Sequence, residues 1–296
     1  MTPVPRPAWQ RFRRNRAALA SLLTLLAIAL ACFGTLGWST PRMRAQDLAA
    51  ARQPPSPQHP LGTDEVGRSL LWRILYGGAI SLSLGLLAAT VAITLGTACG
   101  LVAGYLGGRW DDLLMRLVDV LYALPSVLLV MLFTGSIGAW LHQAQLLSAE
   151  WARFVVLALA IGGVSWLTVA RVVRGEVLRV REQPFVEAAR ALGLSTPRIV
   201  VRHILPNLAG PIIVFGTLTT PQAILQESFL SFLGIGVQAP QATWGSLAAD
   251  GVRLLNPVQL DWWLVAFPCL PLSITLLALN FLGDGLRDAL ETRPRP

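Results

Sequence analysis

Apolar stretches about as long as a membrane is thick recur six times in this chain, at about residues 18–38, 79–106, 118–141, 152–170, 209–235 and 262–283. A helix rises about 1.5 Å per residue, so about 20 apolar residues cross a hydrocarbon core roughly 30 Å thick. Lipid offers no hydrogen bonds, so each stretch must satisfy its own backbone, and a helix does so. Composition agrees: 54% of the 296 residues are hydrophobic and 14% charged, too little polar surface for a soluble globule. The expected fold is an all-α polytopic membrane protein with six transmembrane helices.

The first stretch follows the basic segment RFRRNR and competes with a signal peptide. A signal core has about 7–15 apolar residues and this run is nearer 20, so a retained helix is expected. Leu30-Ala31-Cys32 is the rival signal, similar to a lipoprotein cleavage site. Residues 39–60 carry Pro41, Pro54, Pro55, Pro57 and Pro60, cannot continue a helix through lipid and must lie in water. Residues 67–76, GRSLLWRILY, read as an interfacial amphipathic helix, with Leu70, Leu71, Ile74 and Leu75 on one side. The chain thus divides into residues 1–78, with a tail, first span and external loop, and a five-helix core over 79–296.

All 24 basic residues are arginine, and a chain without lysine cannot build the phosphate-gripping loop GxxxxGK[ST]. No ATP hydrolysis is expected on this chain. The net charge of +8 does not indicate nucleic acid either, because the arginines lie between apolar spans instead of along one soluble patch. Cys32, Cys99 and Cys269 fall in apolar runs and read as small core residues; His59, His142 and His203 sit in separate loops, so no metal site is expected. With the N-terminus inside, 17 arginines fall on cytoplasmic segments and 7 outside, which places both termini in the cytoplasm. Seven of the 17 lie between residues 171 and 202.

That basic loop, about 171–208, contains EQPFVEAARALGLSTPRIVVRHILPN over residues 182–207. Pro184 suits a first helical position, Gly193 a C-cap, Thr196 an N-cap, Pro197 the next first turn and Pro206 a stop, so two short helices with a sharp turn are expected. The first has about nine residues, and helices under roughly 12 are marginal in water, so it needs a surface to dock on. Ala188, Ala189, Ala191 and Gly193 keep it thin, while Glu187 and Arg190 offer polar contacts at a groove rim. Locally, a docking element and a helix lying on lipid headgroups fit equally well.

EAARALG followed by STPRIVVRHILPN resembles the EAA loop of ATP-binding-cassette importer permeases, with the spacing from Glu187 to Gly193 matching. The isoleucine usually two before Leu-Pro stands here as Ile204, directly before Leu205-Pro206. HPLGTDEVGRSLLWRILYG (59–77), ESFLSFLGIGVQAPQATWG (227–245) and NFLGDGLRDALE (280–291) narrow the likeness to the second permease of dipeptide, oligopeptide and nickel importers, the DppC/OppC type. The resemblance implies a type I importer permease fold, a bacterial inner-membrane location and a second homologous permease. It also implies two ATPase subunits, which carry the ATP and magnesium, and an extracytoplasmic substrate-binding protein. Glu187, Ala188, Ala189, Arg190, Gly193 and Pro206 would then couple ATPase closure to the pore. Peptides are the expected cargo, with a nickel chelate or peptide-like antibiotic as the alternative.

Other residues carry weaker signals. Glu227 lies in the fifth span, where a carboxylate turns towards a partner or a wet cavity, so it is a candidate for the pathway or gate; a local bond near the outer end is the plainer alternative. Gly96, Gly100 and Gly104 form a ridge that favours close helix packing. In GTDEVGR, Gly62 and Gly67 permit tight turns and Asp64, Glu65 and Arg68 offer polar contacts, a pattern suited to bracing the outer side. Asp119 and Asp284 fall at span edges and read as helix-end contacts. Pro240, Trp244, Trp262 and Trp263 could meet a binding protein or form an interfacial belt. A secondary transporter would show related halves with a paired charge site, and a membrane enzyme a convergent catalytic set; neither pattern is in the sequence.

Overall fold

The computed structural model of the chain describes residues 8–144, 149–255 and 261–290. Among them the regular structure is helical, apart from one isolated bridge, Thr63 to Ser69. In chain order the helices are α1 (Ala8–Arg14), α2 (Arg16–Gly34), α3 (Leu36–Arg42), α4 (Leu70–Leu106), α5 (Gly108–Tyr122), α6 (Ser126–Ala144), α7 (Ala149–Arg181), α8 (Pro184–Ala191), α9 (Thr196–Ile199), α10 (Leu205–Phe232), α11 (Trp244–Leu254) and α12 (Trp263–Leu290). Arg6, Arg293 and Arg295, counted above for orientation, lie outside the described residues.

Five helical stretches are long and apolar enough to cross a membrane: Arg16–Gly34, Leu70–Leu106, Trp151–Arg181, Thr196–Phe232 and Trp263–Leu290. The sixth span differs from the expected single helix over 118–141. There α5 and α6 meet at a 98° bend. Pro125 causes it, since proline has no N–H to donate and biases the residue before it away from helical geometry. The 19 residues of α6 reach about 28 Å by themselves. α5 turns aside instead, with Trp110, Leu113, Leu117 and Val120 exposed along one face. Its Asp111 accepts two hydrogen bonds from Arg174 of α7, each 2.5 Å.

Residues 67–76 are not a separate interfacial helix. α4 begins at Leu70 and runs unbroken for 37 residues, with Leu70, Ile74 and Tyr76 buried. Gly77 and Gly78 do not interrupt it, because tertiary contact outweighs their low helix propensity. A Cβ at Gly78 would lie 2.4 Å from Cys32 Sγ and 2.6 Å from the Trp244 ring, so α2 and α11 can close on α4 only where no side chain intervenes.

The small-residue ridge of α4 meets α7 turn by turn. Cβ atoms built at Gly96, Gly100 and Gly104 would fall 2.5, 2.8 and 2.8 Å from the Cβ atoms of Val169, Val173 and Val177. Both series ascend together, so α4 and α7 run parallel, held by backbone-to-side-chain packing where lipid supplies no hydrophobic drive. Gly100→Val is therefore expected to destabilise the bundle by about 1–3 kcal/mol through overpacking. Its new Cβ would also sit 2.8 Å from the Ala170 carbonyl oxygen, which cannot rotate away. Thermal unfolding of the purified protein in detergent checks this, and an unchanged midpoint rejects the tight contact.

The bundle has two distinct ends. At one, α8 lies near the start of α10, and the position of a Cβ at Gly210 is 3.8 Å from Leu290 of α12. A Cβ at Gly285 would touch Ala18, so α1 and the start of α2 share that end. The other end holds residues 39–69, α11 and the start of α12, joined through a core containing Leu70, Trp244 and Trp263.

Candidate functional site

α8 is short, flanked by turns and only half covered. Gln183 precedes it in extended conformation and Pro184 occupies the first turn. Gly193, at φ +75°, ends it: Gly193 N–H donates to Arg190 O (2.9 Å) and Leu194 N–H to Ala189 O (3.2 Å), a pairing that needs the left-handed geometry glycine supplies. Val186 and Ala189 are buried against Val177, Val180, Ile199 and Ile204 of the same chain. The opposite face is open, with Glu187, Ala188 and Arg190 exposed, Phe185 42% and Leu192 81% exposed. The Arg190 guanidinium lies 5.6 Å from the Tyr105 ring. The docking surface required by so short a helix is thus supplied on one side by the chain itself.

Two expectations for this loop are corrected. The N-cap of α9 is Ser195, with Thr196 already helical. Pro206 is no stop, because α9 continues through a wide π turn, Val200–Ile204, into α10. Leu205 N–H donates to Val200 O across that turn, so the proline ring enters where the ladder is already displaced and its clash is relieved. Pro206 stands exposed in the first turn of α10. The base of the loop is stiff: Arg174 pairs with Asp111, and Arg181 Nη1 donates to Gly104 O at 2.8 Å.

At the far end, GTDEVGR folds around Asp64, which is 4% exposed. Its Oδ1 accepts from Val66 N–H (3.0 Å) and Arg68 N–H (2.8 Å), and its Oδ2 from Arg68 Nε (2.6 Å) and Arg73 Nη1 (2.7 Å). Gly62 and Gly67 have φ of +78° and +74°. A Cβ at Gly67 would lie 1.7 Å from Asp47 O, and one at Gly62 2.7 Å from Gln53 O, so both turns exclude side chains. Arg52, whose importance the sequence did not signal, ties this arm to the start of α12 by donating from Nε to Asp261 Oδ2 (2.6 Å). Asp64 and Arg68 thus brace the end opposite α8 from within the chain.

Glu227 is fully buried near the C-terminal end of α10. Its Oε1 accepts from Ser231 Oγ (2.6 Å) and from Thr243 Oγ1 (2.8 Å), the residue that caps α11. It therefore fastens α10 to α11. Trp244 next to that cap is a core residue, correcting its expected place at a receptor or lipid interface: it has no exposed surface, and its Nε1 donates to Ile74 O (3.0 Å). Trp263 is likewise buried, whereas Trp262 and Pro240 are exposed. Asp119 makes the expected helix-end contact, accepting from Arg171 Nη2 at 2.7 Å.

A feature that sequence reasoning missed lies between these ends. The α5–α6 bend, α7 and α10 enclose a cavity of about 410 Å³, open on the side where Gln222 is exposed. Ser165, Thr168, Thr219, Gln222 and Gln226 contribute its polar lining. Thr219, Gln222 and Gln226 recur at helical spacing, a polar stripe within an apolar span that could have drawn notice.

Comparison with known proteins agrees with this geometry. Residues 96–296 match the family described as binding-protein-dependent transport system inner membrane component, and residues 6–55 match the N-terminal TM domain of oligopeptide transport permease C. The dipeptide transport system permease protein DppC of Bacillus subtilis is 42% identical over 97% of this chain and 85% of its own length. The oligopeptide transport system permease protein OppC of Escherichia coli is 42% identical over 98% and 93%. Among solved structures, an inward-facing MetNI methionine ABC transporter matches with a TM-score of 0.58 at 16% identity, covering 75% of this chain and 98% of that one, a likeness of fold alone. The helical bundle with five long apolar helices and a bent sixth is thus the type I importer permease fold. On the family match over most of its length, this multi-pass inner-membrane chain belongs to the binding-protein-dependent transport system inner membrane components.

Proposed function

We propose that this chain is the transmembrane permease subunit of an ATP-driven importer that carries peptides across the bacterial inner membrane. The observation that carries this is α8: a helix of eight residues with one face packed on its own chain and the other, bearing Phe185, Ala188 and Leu192, left open. A separate ATPase subunit covers that face, and Glu187, Ala188, Ala189, Arg190, Gly193 and Pro206 transmit its movement into α7 and α10. ATP and magnesium bind to the two ATPase subunits and no cofactor binds here. A second, homologous permease completes the pore, and a binding protein delivers substrate at the outer end. The α8 end, with both termini, faces the cytoplasm, as its arginine content favours. ATP drives transport because the motor subunits favour one pore conformation over the other, and binding both equally would shift nothing. Peptide cargo rests on the names of full-length relatives at 42% identity.

Reconstitution in liposomes with the genetically neighbouring permease, ATPases and binding protein tests this. Uptake of labelled di- and oligopeptides is expected only with ATP and all partners. Uptake by this chain alone would sink the importer reading, and ATP-driven uptake of another cargo with none of peptides would sink the peptide assignment.

A further inference from the structure

The cavity at the α5–α6 bend has a distinctive chemistry. Its polar lining is hydroxyl and carboxamide, with Tyr122 the one titratable side chain among its lining residues. Ser165 Oγ donates to Ile161 O (2.9 Å) and Thr219 Oγ1 to Phe215 O (2.7 Å), which spends their protons and leaves their oxygens as acceptors. Gln222 and Gln226 make no side-chain hydrogen bond among the described residues, and each offers an N–H₂ donor and a C=O acceptor. A polar stripe in a membrane-spanning helix is costly without partners, so these groups await either water or a ligand. The charges nearby stand at the rim: Arg171 lies 4.2 Å from the Tyr122 ring and is paired with Asp119.

We propose that the Thr219–Gln222–Gln226 face of α10, with Ser165 and Thr168 of α7 opposite, is a transit site that hydrogen-bonds the backbone amides of a passing peptide. A carboxamide presents the same donor and acceptor pair as a peptide bond, so Gln222 and Gln226 replace backbone hydration whatever the side chains are. The lack of fixed charge on the lining suits a conduit, since a charged wall would hold one terminus of a zwitterionic cargo and slow release. Glu227, the next residue, points away into the bond with Thr243 and leaves the face neutral. This inference rests on the peptide importer reading.

The test is peptide uptake by the reconstituted complex carrying Gln222→Leu and Gln226→Leu, with a peptide and its backbone N-methylated analogue at saturating binding protein. Losing these hydrogen bonds is expected to slow the unmodified peptide by about tenfold. The N-methylated analogue, already missing those bonds, should slow much less. Equal slowing of both, or none, overturns the transit site while peptide import itself stands. Because the double variant could fail to assemble, photoreactive peptide is also crosslinked to the native complex. Adducts are expected on residues 219–226, and adducts confined to other helices overturn the proposal. A native complex that takes up no peptide overturns the underlying reading.

Discussion

Asp64→Ala is expected to destabilise the protein by about 3–5 kcal/mol, the cost of leaving a buried charge without its partner. The stranded charge is Arg73, 4% exposed and held 2.7 Å from Asp64 Oδ2. Its other carboxylate, Asp250, is 3.7 Å away and half exposed, so it cannot replace a direct bond. Two backbone donors, Val66 N–H and Arg68 N–H, lose their acceptor in the same variant. The turn holding Gly67 against Asp47 would then loosen, and with it the arm that Arg52 ties to Asp261. Thermal unfolding in detergent reads the effect, and Asp64→Ala with Arg73→Met separates its causes. If the stranded guanidinium dominates, the double variant recovers most of the loss, since apolar replacement of a buried pair is often neutral. A single variant that melts with the native protein would contradict the clasp.

Those contacts also mark where sequence reasoning stops. Six spans could be read because lipid imposes a length and an apolar composition on each, and five of them stand as continuous helical stretches. The third could not be placed, because hydropathy averages over Pro125 while the backbone bends there by 98°. Residues 67–76 misled for the opposite reason: Arg68 and Arg73 look like a solvated face until Asp64, nine residues before Arg73, is seen to accept hydrogen bonds from both. Gly193 was legible, since a short helix ending in a left-handed residue is a local matter. Pro206 was not, because the π turn that admits it depends on Ile199, Ile204 and Leu208 packing on α7. The cavity depends on three distant segments, and the bond from Thr243 to Glu227 spans 16 residues. Side-chain pairing at such separations leaves no periodicity to detect.

Gly193→Arg is expected to cut uptake by about 30-fold or more, equivalent to losing about 2 kcal/mol of docking energy at an interface centre. The physical reason lies outside this chain. No atom lies within 4 Å of a Cβ at Gly193, so arginine meets no obstacle in the protein itself. It pays only the left-handed backbone cost of φ +75°, about 1–2 kcal/mol for an L-residue, too little to unfold a six-span bundle. The side chain instead projects beside exposed Leu192, on the open face proposed to dock the ATPase. Membrane insertion and melting should therefore change little while ATPase copurification and uptake fall together. Gly193→Ala bears the same backbone cost with almost no bulk, and Gly193→Asn bears less, because asparagine tolerates this conformation. If the open face is a docking surface, activity orders as glycine, asparagine, alanine and then, far below, arginine. If alanine and arginine fail equally, the turn acts through its own shape; and if arginine transports at the native rate with its ATPases bound, α8 is no coupling helix.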